Sequence, residues 1–360
     1  MGPRHATHTR QASCRAEGKL KEGYEMRAFE LYDANSIKEA IDLLRANAAK
    51  NARVVAGGSD LVGGLMKDWV HGKGLALPEV LVDITTIKEL VGINEDNGGL
   101  TIGAATTLSD VIDHKTVSSK FSLLSNAALS VASPLIRNFG TIGGNINQRP
   151  RCWFFRGEDF NCYKKGGDFC YAVTGDNRYH AIIGGELCYI VHPSDTATAL
   201  MALNASAKID GVNGSKTVSF DEYFTGPRVD VLRENILKPG EFMTHITIPN
   251  PPGGVKFGWS KLKDRQVYDF ALTSVAVAFT MDGNNWKDGR VTLGGVSPVP
   301  YRAKVVEDAL KGKNIKDTAK AAAAQIRTVA RPMSLNSYKV DVAAGLIERT
   351  ILEALDAKTN

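Results

Sequence analysis

Two short glycine-centred elements set the tightest limit on what this chain can fold into. The first is Val55-Ala56-Gly57-Gly58-Ser59-Asp60-Leu61, and the second is Thr141-Ile142-Gly143-Gly144-Asn145. Paired glycines mark places where a backbone turns tightly or meets another group closely. The first pair follows a β-type run, Ala52-Arg53-Val54-Val55-Ala56, so its amides stand at a strand's C-terminal end with few side chains around them. Such a run can wrap an anion as a nest, with the Ser59 hydroxyl as a further donor. The second pair offers another set of amides, with Thr141 and Asn145 beside them. Neither has the Rossmann G-x-G-x-x-G spacing, and no Gly-Lys-Ser/Thr follows as it would in a P-loop. One Gly-Gly alone is as well explained by a plain turn. Two of them suit a diphosphate stretched between two subdomains, and composition and spacing go no further than a nucleotide cofactor.

The chain of 360 residues is 43% hydrophobic, enough for two or three domains with real cores. Its formal net charge is only +5 and its basic residues form no long run, which argues against nucleic acid as a partner. No apolar stretch approaches the ~20 residues that span a bilayer, so no transmembrane segment is expected. Residues 1–25 are polar and lack the apolar core of a secretory signal. They read as a disordered extension, with Cys14 incidental.

From Met26 onward a pattern emerges. Ser36 caps a helix through Ile37, Ala40, Ile41 and Leu44, and Glu39 completes a capping box. With the strands at 52–56 and 80–84 this makes a small β-α-β unit. A second region opens at Leu100-Thr101-Ile102-Gly103, with a helix entry at Thr107 to Asp110 and a helix from Ser125 to Val131. A helix over Thr196–Leu203 follows His192-Pro193-Ser194-Asp195. Pro249 to Gly254 is the best boundary. Beyond it, 271–280 and 290–294 read as strands, and 307–311, 316–329 and 340–355 as helices.

The window 149–188 has no periodicity. It holds Cys152, Cys162, Cys170 and Cys188, spaced C-x9-C-x7-C-x17-C, among Arg149, Arg151, Arg156, Lys164 and Lys165. One local cysteine group in a long chain reads as a metal or cluster site more than a disulfide framework. The spacing is neither a zinc ribbon nor a bacterial ferredoxin run. Structural zinc and an iron–sulfur cluster both stay open, because both four-thiolate centres are anionic and both are favoured by nearby cations. His180 and His192 read as hydrogen-bonded structural histidines.

These residues carry a resemblance. A-G-G-S-D-L, then T-I-G-A-A-T-T-L, then N-F-G-T-I-G-G-N resemble the FAD-binding subunit of the xanthine dehydrogenase and carbon monoxide dehydrogenase family of molybdenum hydroxylases. Asp264-Arg265, then Asp269 through Val277, and Leu293-Gly294-Gly295-Val296, look like that family's C-terminal flavoprotein domain, so the likeness spans about 27–356. It implies an α+β fold: a two-subdomain PCMH-type (vanillyl-alcohol-oxidase-like) FAD-binding unit over 26–90 and 91–250, then a C-terminal domain over 251–360 with a small antiparallel sheet and helices. It implies FAD held at its pyrophosphate by Val55, Ala56, Gly57, Gly58, Ser59, Asp60 and Leu61, and gripped from the second subdomain by Thr141, Gly143, Gly144 and Asn145. Asp195 takes the place of a family aspartate on the flavin side, and would otherwise simply cap the helix that follows. Lys261 matches a lysine near the flavin, and would otherwise be a solvated strand residue. Xanthine dehydrogenases carry a lysine just after the position of Ala271; Leu272 stands there in this chain, so that contact does not carry over.

The cysteine window, from Q-R-P-R-C-W-F-F-R to G-G-E-L-C-Y-I-V-H-P-S-D, is similar to the insertion in the flavin subunit of bacterial aldehyde oxidoreductases. A similar insertion occurs in 4-hydroxybenzoyl-CoA reductase. That resemblance implies a [4Fe–4S] cluster on Cys152, Cys162, Cys170 and Cys188. It also implies a small [2Fe–2S] subunit and a large molybdopterin subunit as partners, in a heterotrimer or its dimer. Electrons would pass from the partner clusters through FAD to an external acceptor, and no catalytic acid, base or nucleophile is nominated. The alternatives are a stand-alone PCMH-type flavin oxidase, for which the C-terminal region looks too small to be a substrate cap, and a zinc-stabilised, non-catalytic assembly module. The expected compartment is the cytoplasm, or the periplasm if a signal-bearing partner co-exports the chain.

Overall fold

A computed structural model describes residues 9–10, 28–66, 72 and 74–357. Cys14 and most of the stretch 1–25 lie outside them; Thr9–Arg10 (β1) pairs antiparallel with Leu31 and Tyr32.

Three sheets organise the described residues. The first holds β1, β2 (Glu30–Asp33), β3 (Arg53–Val55) and β4 (Val80–Asp83) in the order β1-β2-β4-β3. Both β2 and β3 run parallel to β4, as a β-α-β unit requires. The connecting helix Ile37–Ala46 is capped by Ser36, whose hydroxyl accepts from the Glu39 amide. The Glu39 carboxylate reaches back one residue further than expected, to the Asn35 amide at 2.8 Å.

The second sheet is antiparallel, in the order β5 (Ile93–Asp96), β6 (Gly99–Gly103), β9 (Glu241–Pro249), β7 (Ser206–Gly211) and β8 (Gly214–Ser219). Its buried face includes Leu100, Ile102, Ala207, Ile209, Ile246 and Ile248, which share a core with the helices Leu108–Asp113, Ser122–Leu129 and Asp195–Ala202. The last of these helices is buried on every side; Ala197, Ala199, Leu200, Met201 and Ala202 supply its apolar surface, while Asp195, Thr196 and Thr198 are buried with polar partners.

The third sheet is a meander of β10 (Lys256–Leu262), β11 (Thr273–Asp282), β12 (Asn285–Gly294) and β13 (Tyr301–Arg302). The helix Tyr338–Asp356 packs across it, burying Ala343, Ile347 and Ile351 against Val275, Val277 and Val291. The helix expected over 316–329 is two, Ile315–Ala323 and Ile326–Val329, because hydrogen bonding tightens to three-residue steps at Gln325 and Arg327. The architecture is α+β, as expected. Among the described residues, no helix is long and apolar enough to cross a membrane.

Candidate cofactor site

The first glycine element leaves β3 and enters a π-helical turn, Leu61–Leu65. Gly58 sits at φ +67°, which glycine adopts without strain. Among the described residues, nothing accepts from the backbone N–H groups of Gly57, Gly58, Ser59 or Asp60. Four successive unpaired amides at a strand's end form the nest that the sequence suggests, and they suit an anionic oxygen cluster.

The second element stands directly against the first. A Cβ on Gly57 would fall 1.8 Å from the Phe139 carbonyl oxygen, so only glycine allows this approach. The element itself departs from expectation. It is a short helix, Ile142–Ile146, capped by the Thr141 hydroxyl through the Gly144 amide at 3.1 Å. The amides of Ile142, Gly143 and Asn145 are taken by the carbonyls of Thr106, Ala104 and Thr141. The second set of free amides is therefore already spent on the fold. What this side contributes is the wall at 139–140, the Thr141 side chain and Asn145.

Asn145 extends the site. Its Oδ1 accepts from the hydroxyls of Ser194 and Thr196, each at 2.6 Å, at the start of the buried helix Asp195–Ala202. Ser194, not Asp195, caps that helix: its hydroxyl accepts from the Ala197 amide at 3.0 Å. Asp195 is instead the first helical residue, and its Oδ2 receives Lys261 Nζ at 2.7 Å. Lys261 also donates to the Ser130 carbonyl at 2.9 Å. Their side chains are 6% and 4% exposed, so Lys261 is not a solvated strand residue but half of a buried ion pair. Burial pushes the Asp195 carboxyl up, and the Lys261 ammonium opposes that. The nest, the second element, Asp195 and Lys261 thus form one contiguous line of contacts.

Cys152, Cys162, Cys170 and Cys188 line a single pocket, with His180 among them. All four are free thiols. Three of them stand at the N-cap of a single helical turn, Trp153–Arg156, Tyr163–Lys165 and Tyr171–Val173 respectively. Such positions aim free amides at a sulfur. The amides of Phe155 and Phe154 point at Cys152, those of Lys164 and Lys165 at Cys162, and that of Ile190 at Cys188. Burial pushes the thiols of Cys152 and Cys188 up to about 12, so they stay protonated unless a cation takes the proton's place. Among the described residues, no three His, Cys, Asp or Glu side chains converge closely enough to hold one metal ion.

The cations of this window are divided. Arg149 and Lys164 pair with the buried Glu234, at 2.9 and 2.7 Å. Arg156 reaches Asp60 at 3.1 Å, and Arg151 pairs with Asp60 as well. The three arginines are thus directed to carboxylates and not to the thiols. Lys164 and Lys165 are the cations whose charge favours thiolates, at Cys188 and Cys162.

His180 Nε2 lies 3.2 Å from Cys152 Sγ, and burial lowers the imidazole to about 4. The carbonyl of His180 is held by Lys339 Nζ at 3.1 Å and by Asn336 Nδ2 at 3.1 Å. Lys339, wholly buried, also donates to the Gly295 carbonyl at 2.5 Å and to that of Tyr179 at 3.3 Å. His192 is structural: buried, edge-on to Phe224 and lowered to about 4 by burial. Sequence reasoning missed Glu234 and Lys339 because they lie far along the chain and carry no local motif.

Comparison with known proteins bears on the chain as a whole. The family "FAD binding domain in molybdopterin dehydrogenase" matches residues 27–251, and "CO dehydrogenase flavoprotein C-terminal domain" matches 259–354. The chain is 33% identical over 336 residues to the aldehyde oxidoreductase FAD-binding subunit PaoB of Escherichia coli (strain K12), covering 91% of this chain and 99% of that protein. It is 28% identical over 333 residues to the carbon monoxide dehydrogenase medium chain of Afipia carboxidovorans, covering 91% and 96%. Among solved structures, a carbon monoxide dehydrogenase chain from Hydrogenophaga pseudoflava superposes with TM-score 0.71 at 28% identity, covering 92% of this chain and 98% of that one.

Proposed function

Because this chain belongs to the FAD-binding medium-subunit family of the molybdenum hydroxylases, we propose that it relays electrons from partner [2Fe–2S] clusters through FAD to an external acceptor, and that it also holds a [4Fe–4S] cluster. The observation that carries the FAD reading is the row of amides at Gly57–Asp60, without acceptors among the described residues and pressed against the Phe139–Gly140 backbone.

Bound FAD supplies two-electron chemistry with one-electron release, which no side chain can provide. The chain's own residues do the binding. The amides of Gly57, Gly58, Ser59 and Asp60 offer partial positive charge to a diphosphate, and the Ser59 hydroxyl, exposed beside them, adds a donor. Thr141 and Asn145 close the opposite wall. Asp195 and Lys261 form a buried charged pair whose field falls on the flavin side of this reading. The division into two FAD-binding subdomains, an insertion at 149–188 and a C-terminal domain is part of the same proposal.

A bound [4Fe–4S] cluster adds a one-electron store or a structural pin. Its support is the common pocket of the four cysteines and the amide donors beside Cys152 and Cys162. Partners are a small [2Fe–2S] subunit and a large molybdopterin subunit, and the substrate class, aldehyde or N-heterocycle, is decided on the large one.

The test is the visible spectrum of the complex purified with its partner chains, before and after dithionite, with flavin, iron and zinc quantified. One FAD per chain and four iron atoms beyond those of the partner clusters are expected. Absence of flavin overturns the relay reading. Zinc in place of the extra iron overturns the cluster while leaving FAD intact.

A further inference from the structure

Asp60 stands inside the amide nest, yet its carboxylate does not serve the nest. Its Oδ2 accepts from the Arg149 amide at 2.8 Å, and its Oδ1 accepts from Arg156 Nη2 at 3.1 Å and from Arg151. The side chain is 16% exposed. Arg156 in turn holds the Pro150 carbonyl through Nε at 2.7 Å and lies over Gly64 in the turn that follows the nest. Arg151 immediately precedes Cys152, and Arg156 closes the helical turn that Cys152 opens. Apolar contact follows the same route: Leu61 and Leu65, just past the nest, pack with Phe155, Cys152 and Cys162.

From this we infer that Asp60 is a positioning residue that couples FAD binding to the cysteine pocket, so that each cofactor strengthens the hold on the other. The physical reason is that a carboxylate facing a diphosphate would repel it. Bonded to the Arg149 amide and neutralised by Arg151 and Arg156, the same carboxylate fixes both the nest and the first cysteine turn. Ordering either segment removes part of the cost of ordering the other. Such coupling is reciprocal by linkage, and couplings of this kind change affinity by about 5- to 150-fold. The inference rests on the FAD and cluster readings above.

The test is a double cycle on the complex with its partner chains. FAD is stripped and re-titrated by fluorescence quenching in wild type and Asp60→Asn, each with the extra iron intact or removed. In wild type, iron removal weakens FAD binding by about tenfold. In Asp60→Asn, FAD binds more weakly from the start, and iron removal adds little. Equal effects of iron removal in both proteins, or none in wild type, overturn the inference. A residue that only stabilised the fold would give that additive result.

Should Asp60→Asn fail to assemble, hydrogen exchange on the wild-type complex decides. Stripping FAD raises exchange at 149–157 as well as at 55–65. A rise confined to 55–65 overturns the coupling. A complex with flavin but no extra iron overturns the coupling together with the cluster, while the FAD reading stands.

Discussion

The Nε2 atom of His180 lies 3.2 Å from the sulfur of Cys152, in a pocket that all four cysteines of the insertion share. With its proton on Nε2, the neutral imidazole donates to that sulfur. A donor to a ligating thiolate withdraws charge and favours the reduced cluster. If the proposed cluster is bound, His180→Phe is expected to make its midpoint potential more negative, and His180→Gln less so. Potentiometric titration followed by electron paramagnetic resonance measures both, and identical midpoints in all three proteins would refute the role.

The close approach of the two glycine elements gives a second prediction. In Gly57→Ala the new methyl meets the Phe139 carbonyl at 1.8 Å, so the nest must swing away from its wall. Overpacking of this kind costs about 1–3 kcal/mol and here removes the site itself. The variant complex should purify with little flavin. Gly63→Ala, whose added methyl would stand 3.7 Å from its nearest neighbour, should retain it. Flavin-to-protein ratios from absorbance decide the matter.

The Asp195–Lys261 pair is buried on both sides. Removing one partner of such a pair strands the other and costs about 3–5 kcal/mol. Lys261→Met should lower the thermal midpoint of the complex substantially. Adding Asp195→Asn should recover much of the loss, because no charge is then left alone. If the double variant is no more stable than the single one, the pair is not what holds this region.

The Glu234 carboxyl provides a dependence on pH. Burial pushes it up, but the Arg149 guanidinium and the Lys164 ammonium outweigh burial and hold it at about 2, against an ordinary 4.5. Because the folded value is depressed, its stabilisation is complete above 4.5 and disappears as the pH falls from there through about 2. The difference amounts to something on the order of 3 kcal/mol. Wild type should exceed Glu234→Gln in stability at pH 7, and the gap should narrow at pH 3. A gap independent of pH would mean that shape, not charge, matters at this position.

What could be read from residues alone follows the range of the interactions. The Ser36 cap, the β3 run and the nest at 57–60 are decided by neighbours a few positions apart, so local patterns disclose them. β7, β8 and β9 went unnoticed because their pairing is settled across long separations, as in Ala207 opposite Ile246. The amides of the second glycine element were misjudged for the same reason: Thr106 and Ala104, brought in by β6 and the turn after it, had already claimed them. The cysteines were evident from their crowding. The assignment of three of their neighbouring arginines to Asp60 and Glu234 was not, since nothing in the window names its distant anions.

Lys339 bears on the order of events during biosynthesis. It enters from the helix Tyr338–Asp356 to grip the backbone at Tyr179 and His180, beside the cysteine pocket. While the ribosome is still translating the middle of the chain, that rear support has not been made. If iron binds the four cysteines as proposed, loading before the helix Tyr338–Asp356 has docked would meet a half-built vessel.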